Sequence, residues 1–118
     1  MIQILEQIQE NIVATKASEK LTTKDYEKLL PLLKNALKKH DKIRWYFEME
    51  NFEGWELKAF WKDVKFDIKH ASDFEKIAMV GDKQWEKWMT ELMKPFTSAE
   101  IKFFELSEKE KGLTWIKN

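Results

Sequence analysis

The chain has 118 residues, the usual length of one domain and enough to bury a sizeable core. It contains no cysteine, which excludes disulfides, thiol catalysis and thiolate metal sites. Basic and acidic residues each number 21, and this zero net charge argues against a general nucleic-acid binder. Its histidines, His40 and His70, lie far apart, so no metal site is expected.

The N-terminal segment MIQILEQIQENIVA lacks the basic region of a signal peptide, and no apolar run is long enough to span a membrane. These features predict a cytoplasmic protein without stable membrane insertion. Aromatic residues make up 14% of the chain and include six tryptophans, so part of this apolar supply is expected to line a pocket or an interface.

The first two elements are predicted to be strands. Isoleucines at even spacing predict a strand over Met1–Ile8, and the β-branched residues of Asn11–Ala17 predict a second. The short connection between them predicts an antiparallel hairpin.

A helix is predicted over Thr23–Lys39, with Thr22 as its N-cap and Asp25 completing a capping box. We expect it to bend near Pro31, because an internal proline removes a hydrogen bond. Its apolar face, at helical spacing, consists of Tyr26, Leu29, Leu30, Leu33 and Leu37.

The middle of the chain predicts a strand, a loop and a second helix. Lys42–Glu50 alternates apolar and polar residues and predicts the strand, and Asn51–Trp55 contains a glycine and predicts the loop. The helix is predicted from Glu56 to about His70. Its apolar face consists of Leu57, Phe60, Trp61, Val64 and Ile68.

The apolar run Lys76–Gly81 predicts a strand buried on both faces. A third helix is predicted over Lys83–Lys94 and ends before Pro95. Its apolar face repeats the first helix's offsets and consists of Trp85, Trp88, Met89 and Leu92.

The C-terminal part predicts a fifth strand over Glu100–Leu106 and a last helix through Trp115. Ser107 and Glu110 have the spacing of a capping box and predict the start of that helix.

The predicted order is therefore β-β-α-β-α-β-α-β-α, in one domain over residues 1–118. Strands that alternate with amphipathic helices predict an α/β fold with a mixed, mostly parallel sheet of about five strands and four helices.

A ligand site is predicted at the carboxyl ends of the parallel strands, where open α/β sheets bind ligands. The aromatic residues expected there are Phe52, Trp55, Trp61 and Trp85. Trp61 and Trp85 occupy apolar helix faces, which favours the core for both. Phe52 and Trp55 are in the predicted loop, where a pocket or an interface is as plausible as the core.

The residues do not predict an enzyme. Asp67 and His70 have the spacing of a pair that shares a helix face and orients an imidazole, but for a histidine near a helix C-terminus a cap or surface role is favoured. Motifs for nucleophilic, phosphate-binding, zinc or dinucleotide chemistry are absent from the sequence. No cofactor and no metal are predicted.

A local basic patch precedes and enters the third strand, beside Trp45 and Tyr46. Its residues are Lys34, Lys38, Lys39, Lys42 and Arg44. Because Trp45 is predicted to point away from Arg44, a solvated helix end is favoured over a nucleic-acid surface.

Several segments together resemble the SpoIIAA-like family, also described as STAS/SEC14-type domains. They are LTTKDYEKLLPLL (Leu21–Leu33), FEGWELKAFW (Phe52–Trp61), VKFDIKHASDFEKIAMVGDKQWEKW (Val64–Trp88), PFTSAEIKFFE (Pro95–Glu105) and LTWI (Leu113–Ile116). The resemblance implies the α/β fold predicted above, no enzymatic activity and a homodimer. For the dimer contact, the candidate residues are Trp45, Trp88 and Trp115.

The family's relatives are the anti-sigma factor antagonists and the SEC14-type lipid carriers. The antagonists are switched by phosphorylation of a serine after the third strand, whereas Glu48–Leu57 here contains neither serine nor threonine. The hypothesis is therefore a domain that binds an apolar small ligand, such as a lipid, at its aromatic end. The alternative is a regulatory protein-interaction module without a phosphoswitch.

Overall fold

The computed structural model describes residues 1–5, 11–56, 73–96 and 98–118. Within them, five strands form one sheet: β1 (Ile2–Ile4), β2 (Ile12–Leu21), β3 (Ile43–Trp55), β4 (Phe74–Gly81) and β5 (Glu100–Glu105). The α-helices described are α1 (Thr23–Lys39), α2 (Gln84–Met93) and α3 (Lys109–Lys117). Short 3₁₀ turns follow α2 and β5, over Lys94–Phe96 and Leu106–Glu108.

The sheet has the order β1-β2-β3-β4-β5. β1 pairs antiparallel with β2, and every other pair is parallel. This arrangement confirms the predicted α/β class and the mixed, mostly parallel sheet. The predicted helix from Glu56 to about His70 falls almost wholly outside the described residues, together with Trp61, Asp67 and His70.

One face of the sheet is covered by α1. The alternate side chains Trp45, Phe47 and Met49 of β3 are buried there against the predicted face of α1, of which Tyr26 and Leu29 are nearly inaccessible. Each such side chain contributes about 1.5–3 kcal/mol by leaving water. The capping box of Thr22 and Asp25 is also present, and the predicted single helix over Thr23–Lys39, with Pro31 inside it, is confirmed.

The opposite face of the sheet is covered by α3. Ile116 of this helix packs on side chains of β2, β3 and β4, which are Ile12, Ala14, Tyr46, Ala78 and Val80. Both faces of β4 are therefore buried, and the prediction for Lys76–Gly81 is confirmed.

The predicted loop at Asn51–Trp55 is wrong, because β3 continues through Trp55. β2 is also longer than predicted and reaches Leu21, so the two strands pair to their ends. The pairing shifts register near Glu19, and positive φ values of 53° at Asn51 and 105° at Gly54 absorb the irregularity. Asparagine and glycine tolerate this conformation, so these turn-forming residues serve an irregular strand here.

Two element boundaries also differ from the predictions. β1 ends at Ile4, short of the predicted Ile8, and residues 6–10 are outside the described part. The capping box at Ser107 and Glu110 is wrong, since α3 begins at Lys109 after a 3₁₀ turn. In that turn the Lys109 N–H donates to the Leu106 carbonyl, and no side chain caps the start of α3.

Candidate functional site

The carboxyl ends of β3 and β4 lie side by side at one edge of the sheet. From β4 the chain passes through Gly81, Asp82 and Lys83 into the first turn of α2. This is the edge at which open α/β sheets bind ligands, and the Lys83 side chain of this turn reaches the end of β3.

Phe52 lies at this edge and is part of the core. Its side chain is completely buried and meets Phe47 edge to face, with ring centroids 6.1 Å apart. Its backbone carbonyl accepts a hydrogen bond of 2.6 Å from Lys83 Nζ, which ties the end of β3 to the start of α2. Phe52 is therefore the buried aromatic residue that lies beneath this edge of the sheet.

Trp85 stacks on Phe52. The ring centroids are 5.7 Å apart and the planes differ by 27°, while 37% of Trp85 remains exposed. The pair is thus a continuous aromatic column from the core to the surface. Among the predicted ligand-binding residues, the structure brings these two together. Trp55 ends β3 opposite Leu21, and Trp61 lies outside the described residues.

Glu86, the residue after Trp85 in α2, is a fully buried acid. Its Oε1 atom accepts hydrogen bonds from the backbone N–H groups of Asp82 (3.0 Å) and Lys83 (2.9 Å). Its Oε2 atom is also buried, and no described residue donates to it. Burial raises the pKa of the Glu86 carboxyl above its usual value, and the two N–H donors offset this only in part.

Gly81 makes room for this carboxylate. A Cβ atom at residue 81 would collide with Glu86 Oε1 and would press on the methyl group of Met49. Neither Glu86 nor Gly81 was singled out by the apolar pattern of the sequence. A glutamate three residues after the end of a strand-to-helix turn was the available signal.

The predicted apolar face of α2 is wrong in part. Trp88 is 66% exposed and Leu92 is 52% exposed, whereas Glu86 and Thr90 are fully buried and Met89 is half-buried. Local hydrogen bonds explain the reversal, because the Thr90 hydroxyl donates to the Glu86 carbonyl and Glu86 holds the preceding turn. Trp85, Trp88 and Leu92 form an exposed row, called here the α2 stripe.

A second buried polar group lies on the face of the sheet that α3 covers. The Tyr46 hydroxyl donates a 2.8 Å hydrogen bond to Glu48, and Lys16 lies 3.8 Å from Glu48 and 3.1 Å from Glu50. Burial, followed by the hydrogen bond to Glu48, raises the pKa of Tyr46 far above its usual value. Lys16 pairs with both acids, and the buried Glu48 therefore has a cation and a hydrogen-bond donor within the fold.

Arg44, one of the residues of the predicted basic patch, forms its bonds within the fold. Its guanidinium donates to the Ile116 carbonyl at 2.8 Å and forms a bidentate pair with Glu75, whose pKa this hydrogen bond holds below its usual value. Arg44 therefore caps the C-terminal end of α3. Trp45 points to the opposite face and donates to Thr15, as its predicted orientation requires.

Within the described ranges, no group of three or more histidine, aspartate or glutamate side chains is placed to hold a metal ion. None of the helices described there is long and apolar enough to cross a bilayer.

Comparison with known proteins identifies the fold family. The SpoIIAA-like family model matches residues 12–117. The crystal structure of an uncharacterized DUF3478-family protein with a SpoIIAA-like fold, from Shewanella loihica PV-4, is similar, with 34% identity and a TM-score of 0.81. The alignment covers 98% of this chain and 92% of that chain. No curated protein matches significantly. With its five-stranded mixed sheet and a match over nearly its whole length, the chain belongs to the SpoIIAA-like family.

Proposed function

We propose that this domain binds an apolar small ligand, of the lipid class, at the aromatic column formed by Phe52 and Trp85. The stacked pair is the observation that supports this proposal. It presents the exposed part of Trp85, backed by the buried ring of Phe52, at the edge where α/β sheets bind ligands. The resemblance to SEC14-type lipid carriers suggested by the sequence favours the same class of ligand, and the proposed location of the protein is the cytoplasm.

We propose binding without catalysis. The charged groups beside the column are engaged in holding the backbone: Lys83 bonds the Phe52 carbonyl, and Glu86 bonds two N–H groups of the turn. Such bonds make the edge rigid, which lowers the ordering cost of binding. They do not leave these two groups free as an acid–base pair.

The test compares two tryptophans of one helix with a neutral apolar probe, N-phenyl-1-naphthylamine, whose fluorescence rises in apolar surroundings. Trp85→Ala removes the ring that stacks on Phe52 and is expected to weaken probe binding roughly tenfold, which is about 1.4 kcal/mol. Trp88→Ala is the matched control, because Trp88 is more exposed than Trp85 and is expected to leave the affinity unchanged. Equal affinity in both variants, with circular dichroism unchanged, would contradict the proposal.

A second candidate function is a regulatory protein-interaction module. The α2 stripe supports it, because exposed tryptophan and leucine side chains in a row are typical of docking surfaces. For the proposed homodimer, Trp88 is the best placed of the three candidate tryptophans. Trp45 is buried and bonded to Thr15, and Trp115 packs on Phe104 beneath Lys76 and Lys102.

A further inference from the structure

The Lys83 side chain has hydrogen-bond donors that the described part of the fold does not use. An ammonium group carries three N–H donors, and the Phe52 carbonyl accepts one of them at 2.6 Å. Among the described residues, no other group accepts a hydrogen bond from Lys83 Nζ or forms an ion pair with it. Lys83 is half-buried, so part of it remains open to a partner from solution.

Lys83 and Trp85 converge on one residue of β3. Lys83 is the N-cap of α2 and bonds the backbone carbonyl of Phe52, while Trp85, the second residue of the helix, stacks on the Phe52 ring. Phe52 itself is completely buried, so the apolar surface within reach of a ligand is the exposed 37% of Trp85. One buried residue therefore holds a cation and a partly exposed aromatic ring in a fixed relation.

The acids of this turn leave the charge of Lys83 available. Glu86 uses its Oε1 atom to bind the backbone N–H groups of Asp82 and Lys83, and its charge acts on the Lys83 ammonium group without a direct contact. The side chain of Asp82 is exposed, where water and salt screen its charge. An anionic group can therefore approach Lys83 without displacing an ion pair formed by a described residue.

We propose that Lys83 receives the anionic oxygen of a lipid head group, a carboxylate or a phosphate, while the hydrocarbon part lies along the exposed part of Trp85. This inference rests on the proposed function and adds the chemistry of the head group. A hydrogen bond from an ammonium group to a carboxylate or phosphate oxygen is roughly twice as strong as one between neutral groups. A lipid with an amine head would instead meet a like charge at Lys83.

Four probes with the same chain and different heads test this specificity by calorimetric titration at pH 8. Octanoate or octyl phosphate is expected to bind at least about tenfold more tightly than octylammonium, with 1-octanol between them. Whichever anion binds more tightly identifies the head group as a carboxylate or a phosphate. Octylammonium binding as tightly as both anions would overturn the inference and leave the proposed function standing. No binding of any probe would overturn both.

A pair of variants then assigns the selectivity to one ammonium group. Lys83→Met removes the charge and the donors, and it is expected to abolish the preference for the anions while 1-octanol still binds. Lys87→Met is the control, because Lys87 is an exposed lysine of the same helix and its loss changes the net charge equally. Unchanged selectivity in a folded Lys83→Met protein, or the same loss in both variants, would overturn the inference. Should Lys83→Met fail to fold, the series of head groups on the wild-type protein decides alone.

Discussion

Glu86 shows how one residue can couple local structure to pH. Its carboxylate is buried and held by two backbone donors, yet burial leaves its pKa above the usual value. From about pH 4.5 up to that raised pKa, the folded protein binds more protons at this residue than the unfolded chain does. The contribution of Glu86 to stability is therefore present at low pH and is lost as the pH rises through its folded pKa.

Glu86→Gln should remove this pH dependence. We expect the stability of the variant, relative to the wild-type protein, to increase as the pH is raised from about 4.5 to 8. The measurement is the free energy of unfolding by urea at several pH values. Other acids contribute to both proteins alike, so the difference isolates Glu86. A difference that is constant, or that falls with pH, would contradict the assignment.

The elements differ in how far the sequence predicted them. The capping box and apolar face of α1 were correct, because both are written in residues close together in the chain. The strand β4 was also correct, since a continuous apolar run needs two covered faces. These features depend on the order of residues that are close together in the chain and on how many of them are apolar.

The errors arise where polar side chains bond locally. Apolar spacing cannot show that Glu86 and Thr90 are buried, because their burial depends on hydrogen bonds to the backbone. Nor could it show that Asn51 and Gly54 supply an irregularity within β3 instead of a loop. The Phe52–Trp85 contact joins two elements, so the sequence indicated only which edge both would occupy.

Gly112 of α3 lies so close to the sheet that a larger side chain there should destabilise the fold. A Cβ atom at this residue would lie 3.2 Å from side-chain atoms of both Phe104 and Val80. We expect Gly112→Val to lower the free energy of unfolding by about 1–3 kcal/mol, because the packed neighbours would have to move.

Urea unfolding provides the measurement, and Thr114→Val provides the matched control. Thr114 lies on the exposed side of the same helix, so the same β-branched residue should change stability there by less than about 1 kcal/mol. Equal effects of the two substitutions would contradict the account, because they would show that packing of residue 112 on the sheet does not set the cost.

For the whole molecule, the α2 stripe leads to a prediction about assembly. If Trp88 lies in the contact of the proposed homodimer, Trp88→Glu places a charge in an apolar interface and should shift the protein to monomers. Sedimentation velocity over a range of concentrations measures this shift. Thr114→Glu introduces the same charge on the other side of the sheet and should leave the dimer intact. If the Trp88→Glu variant remains a dimer, the dimer contact does not lie on the α2 stripe.

The central claim is that the aromatic column holds an apolar ligand. Native mass spectrometry of the protein purified without denaturation, with Trp85→Ala prepared in parallel, tests it most directly. We expect the wild-type protein to carry a noncovalent ligand of roughly a few hundred daltons, the size that a small-molecule site accommodates, and Trp85→Ala to have lost it. The same bound mass in both proteins would contradict the claim. The claim would also be contradicted if neither protein carried a ligand and neither bound added N-phenyl-1-naphthylamine.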